Sequence, residues 1–157
     1  MVIRNNTKKT LRVNTSTIAY GIDDRMISTT EGEFEALGAG CTTVIKEAFE
    51  TDETILRYDT AIDTSETSYK SVIDKMSYKK YNIKDGVIFQ VTNNGLLTAR
   101  FAECYVLFLK NGALVDYDYA YFDNDDCELL PGTTISKQFN CYDSFDDVEF
   151  YLGGYGY

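Results

Sequence analysis

A chain of 157 residues can hold one ordinary domain or two small ones, so its internal pattern has to decide between them. A net charge of −10 and a sequence pI near 4.4, with Lys and Arg scattered along the chain, remove the electrostatic footprint of a nucleic-acid binder and disfavour adsorption to anionic lipid. The absence of any histidine excludes serine-type and papain-type triads and removes the usual zinc or iron ligand.

The chain opens on "VIRNNTKKTLRVNTSTIAYGIDDRMI", which aligns without gaps on the later "FQVTNNGLLTARFAECYVLFLKNGALV". In that alignment Asn5-Asn6 fall on Asn93-Asn94, Tyr20 on Phe108 and Ile27 on Val115. Further along, Gly40 matches Gly132, Phe49 matches Phe139 and Tyr58 matches Tyr151. In the first copy Ile18 and Tyr20 are expected on the buried face, and Asp23-Asp24 supply a turn that accepts positive φ. The alternation over 71–81 reads as the first strand of the second copy, and a helix over 68–81 is the competing reading. "VIFQV" then runs as a strand into the turn at Thr92 to Gly95. Ala102, Cys104, Val106 and Phe108 form the inward face of the next strand, which ends in the hairpin signal Asn111-Gly112. "TTISKQF" and "DVEFYL" follow the Pro131-Gly132 corner as two more strands. The closing "YLGGYGY" reads as a last strand and a frayed terminus, with a flexible aromatic tail as the alternative.

These elements predict an all-β chain of two tandem immunoglobulin-like antiparallel β-sandwiches, residues 1–65 and 66–157. The second copy owns a strand before "VIFQV", whereas the first begins at Val2, where that strand should already have passed. The expectation is that sequence upstream of Val2 is missing. Copy one then lacks its first strand and offers an exposed edge for a homodimer. No apolar run approaches the ~20 residues needed to span a bilayer.

The run from Val87 to Tyr157, with "VTNNG", "CYVLFLKNGALV", "LLPG" and "VEFYL", resembles the FxLYD-type and related immunoglobulin-like domains of bacterial envelope proteins. The first copy carries the resemblance faintly, since Ala39 stands where Pro131 does and its turn is not Asn-Gly. The resemblance implies a non-catalytic β-sandwich module, repeated or appended to other domains, placed outside the cytoplasm or in the cell envelope. It carries over no catalytic residue and no cofactor.

The acidic aromatic stretch 115–128 is the strongest local anomaly, and it lies where copy two is longer than copy one by four residues. Tyr117, Tyr119, Tyr121 and Phe122 offer a stacking face for a glycan or peptide. Asp123, Asp125, Asp126 and Glu128 offer oxygen ligands of the kind calcium takes, although the spacing is not that of an EF-hand. The plainer reading is an alternating strand with Asp outward and Tyr half-buried. A carboxylate-dependent hydrolase would draw on Asp116, Asp118, Glu128, Asp146 or Asp147, and nothing in their spacing selects a pair. Cys41, Cys104, Cys127 and Cys141 are separated by 63, 23 and 14 residues, none a metal-knuckle spacing. Free thiols are favoured over bridges because no cysteine position is repeated between the copies.

Overall fold

The computed structural model of the chain describes residues 1–122 and 128–156. In the first half, β1 (Val2–Arg4), β2 (Leu11–Tyr20), β3 (Met26–Leu37), β4 (Thr42–Val44) and β5 (Arg57–Glu66) form the sheets β1-β4 and β3-β2-β5. In the second half the strands are β6 (Lys70–Ser71), β7 (Met76–Ile83), β8 (Gly86–Asn93), β9 (Ala99–Arg100), β10 (Glu103–Lys110), β11 (Ala113–Tyr121), β12 (Glu128–Leu129), β13 (Thr134–Asn140), β14 (Asp147–Leu152) and β15 (Tyr155–Gly156). They form β13-β8-β7, β11-β10-β14 and a small sheet β12-β9-β15-β6. Every pairing is antiparallel, so the expected all-β sandwich-type architecture is the one observed. Among the described residues no helix is long and apolar enough to cross a membrane.

The alternating aromatic and β-branched residues explain the packing. Phe89 in β8 is fully buried and stacks on Phe150 of β14 at 3.9 Å between centroids, while Tyr78 of β7 meets Phe150 at 4.8 Å. These contacts join the sheets β13-β8-β7 and β11-β10-β14 over a core that includes Val87, Val91, Val106, Phe108, Phe122 and Phe139. The first half has a much smaller cluster, made of Val13, Phe34, Leu37 and Ile45. Ile73 packs against both clusters.

Two buried asparagines, 88 positions apart, close the same bracket in each half. Asn5 donates from Nδ2 to the carbonyls of Lys9 and Leu37, both at 2.8 Å, and accepts from the Thr7 amide at Oδ1. Asn93 donates to the carbonyls of Leu97 and Leu129 at 2.8 and 2.9 Å, and accepts from the Gly95 amide. The backbone repeats the match. The Gly40 amide donates to the Asn5 carbonyl and the Gly132 amide to the Asn93 carbonyl, each at 2.8 Å. Both glycines hold positive φ, 73° and 74°, which a Cβ would oppose.

The hairpin signals behave alike despite different residues. Asn111 and Gly112 both hold positive φ between β10 and β11, and Asp23 and Asp24 do the same between β2 and β3 inside a 3-10 turn, Ile22–Asp24. Asp tolerates this region because its short polar side chain can bond locally.

Four expectations need correction. The strand expected over 71–81 begins at Met76, because Ile73–Lys75 forms a 3-10 turn that carries Ile73 to both cores, and no α-helix forms there. The buried face of β2 is Val13, Thr15, Thr17 and Ala19, with Ile18 and Tyr20 opposite. The parity differs because one residue more separates Asn93 from buried Ala102 than separates Asn5 from buried Val13, Phe101 at φ 46° lying in the turn before β10, and a one-residue shift flips every side chain beyond it. Counted from Val13 and Ala102, Ala19 stands in line with Phe108. The strand partners then align Tyr58 with Val148, Thr60 with Phe150 and Ile62 with Leu152, so Tyr58 does not match Tyr151. The C-terminal segment is also not frayed through Gly156. Tyr155 pairs in β15 with Arg100 and Ser71, and its ring lies 4.5 Å from that of Tyr69 and 5.9 Å from that of Phe101.

Among the described residues the first half has no strand in the place that β7 takes beside β8, and β1 pairs with β4 alone. The consequence is visible on β5. All ten of its residues are exposed, Tyr58 even with the Phe49 ring 5.5 Å from its own, whereas Phe150, the residue of β14 in line with Thr60, is packed by the rings of Tyr78, Phe89 and Phe122.

Candidate functional site

The outward face of the sheet β11-β10-β14 is a tyrosine surface. Alternation along β11 puts Asp116, Asp118 and Ala120 on the side of Phe108, Val106 and Cys104, their cross-strand partners. Tyr117, Tyr119 and Tyr121 therefore point outward, opposite Leu107, Tyr105 and Glu103. They are 44, 46 and 37 % exposed. The half-buried set is thus Asp116 and Asp118, the reverse of the plainer expectation for this strand. β11 is an edge strand, so its inward aspartates sit at the sandwich rim, where their carboxylates accept from the amides of Tyr117 and Tyr119 at 2.8 Å.

The tyrosines are organised by cross-strand pairing. Tyr105 of β10 stands between Tyr119 of β11 and Tyr151 of β14, and the rings of Tyr105 and Tyr119 are stacked at 5.7 Å and 21°. Burial pushes the Tyr105 hydroxyl pKa up, and nearby Glu103 adds to the shift. The Tyr151 hydroxyl donates to Glu149 at 2.6 Å, and its pKa is pushed up to about 12, by burial first and by Glu149 second. Both hydroxyls therefore remain protonated donors at neutral pH. Lys46, from the first half, sets its ammonium over this surface at 4.7 Å from the Tyr119 ring and 5.4 Å from the Tyr117 ring, a cation–π arrangement. Thr43 fixes the same approach by donating its hydroxyl to the buried Leu152 carbonyl at 3.1 Å.

At one end of the face lies a crevice of about 300 Å³ where Glu103 and Tyr121 meet Phe101, Tyr155, Glu33 and Glu35. Burial raises the Glu103 pKa, and a hydrogen bond with Tyr121 opposes that shift. Glu33 and Glu35 are held by Arg12 at 2.5 and 2.6 Å.

The sequence candidates divide under this geometry. Tyr117, Tyr119 and Tyr121 are gathered on one exposed face. Phe122 is not on it: the side chain is fully buried in the core, with its ring 6.2 Å from Phe150 and 6.5 Å from Phe139. The reason is alternation: Phe122 continues the inward parity of Asp116, Asp118 and Ala120, and its amide extends the β10–β11 ladder to the Ala102 carbonyl at 2.6 Å. Asp123, Asp125 and Asp126 lie outside the described residues. Glu128 is paired with Arg100 at 2.8 Å, and no group of three acidic or cysteine side chains among the described residues is placed to hold a metal ion. Asp146 accepts from the Asn111 amide at 3.1 Å, bracing the hairpin turn, and Asp147 accepts from the adjacent Val148 amide at 2.7 Å at the start of β14. Cys41, Cys104 and Cys141 are free thiols, while Cys127 lies outside the described residues. Cys104 is fully buried, and burial pushes its thiol pKa upward, which makes it an inert core residue.

Sequence reasoning missed Tyr105, Tyr151 and Lys46. Tyr105 was legible, because the alternation that places Cys104 and Val106 inward places Tyr105 outward. Lys46 was not, since only the packing of one half on the other brings it to Tyr119. No family model matches the chain, and no match is found among curated proteins or solved structures.

Proposed function

We propose that this chain is a non-catalytic interaction module that presents the tyrosine face of β10, β11 and β14 to a protein or glycan partner. The observation that carries the reading is the concentration of Tyr117, Tyr119 and Tyr121 on one exposed sheet face, with Tyr105 stacked on Tyr119 and Lys46 above. Rigid aromatic rings on a sheet lose little side-chain entropy on binding, and their flat faces suit sugar rings or extended peptides. The matched asparagine brackets support reading residues 1–65 and 66–157 as two copies of one unit, the second carrying the functional expansion. Placement in the cell envelope or outside the cell rests on the resemblance of 87–157 to FxLYD-type domains.

The test is a panel of soluble glycans and peptides against the whole chain and its Tyr119→Ala variant. Wild-type protein is expected to bind a member of the panel, and the variant to bind it at least tenfold more weakly, about 1.4 kcal/mol for a central aromatic contact. Unchanged binding by the variant, or no binding by the wild type, would overturn the proposal.

A further inference from the structure

β5 is a ten-residue strand with one partner, β2, to which it pairs without a register shift from Leu11↔Glu66 to Tyr20↔Arg57. Its second edge has no backbone partner among the described residues. Natural edge strands are blunted by brevity, proline, bulges or inward-pointing charge. β7 follows that rule, with Lys80 on the face that Tyr78 turns to the core. β5 does not. From Tyr58 to Ile62, the side of β5 that shares a face with buried Thr15, Thr17 and Ala19 is uncharged, Glu66 standing on that side only at the strand's end; Tyr58 and Ile62 are more than half exposed, Tyr58 with the Phe49 ring 5.5 Å away.

The sequence of β5 is complementary to itself in the antiparallel sense. A twofold axis perpendicular to the sheet through Thr60 preserves faces, so each residue meets a residue of its own parity in the second chain. In that register Arg57 stands opposite Asp63 of the second copy, and the pair occurs twice by symmetry. Tyr58 stands opposite Ile62 twice, Asp59 opposite Ala61, and Thr60 opposite Thr60. Opposite charges therefore meet on the outer face and apolar residues on the inner face, the two pairings that stabilise adjacent strands. The geometry points to a homodimer in which the β5 strands of two copies of this chain pair antiparallel about Thr60, joining their β3-β2-β5 sheets into one six-stranded sheet. This surface is distinct from the tyrosine face, and its test is independent of any ligand there.

Asp63 gives the clean variant, because its carboxylate takes part in no hydrogen bond or ion pair among the described residues, whereas Arg57 is already bonded to Asp59 and Asp24. Sedimentation of the whole chain is expected to show a monomer–dimer equilibrium in the micromolar range or weaker, as fits a contact of single edge strands. Asp63→Arg places Arg opposite Arg57 twice and is expected to weaken the dimer at least tenfold with an unchanged circular dichroism spectrum. Arg57→Asp combined with Asp63→Arg restores both pairs with their signs exchanged and is expected to recover the dimer. A wild-type chain that stays monomeric to about 1 mM, an Asp63→Arg chain that dimerises as well as wild type, or a double variant that recovers nothing would each overturn the assignment.

Discussion

An Asn93→Ala variant is expected to be less stable than the wild-type chain by about 3 kcal/mol in urea unfolding. Asn93 is fully buried, and its side chain satisfies the carbonyls of Leu97 and Leu129 and the amide of Gly95. Alanine leaves two acceptors and a donor without that partner, and a buried group left unsatisfied costs about 1–3 kcal/mol. Some of that loss is recovered where water reaches the Gly95 turn, which keeps the expected value below a simple sum. The corresponding Asn5→Ala change removes the three matching bonds and a fourth, from the Thr7 hydroxyl, in the half with the smaller core. An effect below about 1 kcal/mol at both positions would show that the brackets are incidental to the fold.

Phe122→Ala is expected to cost about 3–5 kcal/mol, the range for emptying a buried aromatic site. The ring is fully buried among Phe139 and Phe150, and the strand end that holds it cannot collapse into the space without moving β11. Tyr119→Ala removes a ring that is 46 % exposed, so its effect on stability is expected to stay under about 1 kcal/mol while its effect falls on binding. Thermal unfolding of the two variants side by side separates the roles. Equal destabilisation would mean that the tyrosine face is part of the core after all.

Much of this fold was legible because the signals were local. The strand "VIFQV" running into a turn, the Asn111-Gly112 hairpin, the Pro131-Gly132 corner and the paired asparagines depend on residues within a few positions of one another. The buried face of β2 was not legible, because one residue added in the turn before β10 sets the parity of a whole strand and carries no compositional mark. The fate of Phe122 was hidden for a related reason. Alternation would have put it on the face of Asp118 and Ala120, but sequence alone does not say how deep that face lies at an edge strand's end. The role of Lys46 could not have been read at all, since it depends on how the two halves pack.

The contrast between the halves is the physical basis of both functional readings. The second is a closed sandwich with a broad aromatic core, rigid enough to hold a tyrosine face in place. In the first, no strand among the described residues stands where β7 stands in its counterpart, and all ten residues of β5 are exposed. Lys80 and the short β12 and β6 blunt edges in the second half, whereas β5 has length, regular pairing and an uncharged inward side from Tyr58 to Ile62. A strand of that kind belongs at an interface rather than in solvent.

Native-state hydrogen exchange tests that contrast most directly, because it reads the opening free energy of each strand in one sample. The central amides of β8 and β10, at Phe89 and Val106, are expected to exchange only through global unfolding. The amides of β2 at Thr15 and Thr17, in dilute protein, are expected to exchange through a partial opening at least about 2 kcal/mol below the global value. Equal protection of β2 and β10 would contradict the account of one closed half and one open half.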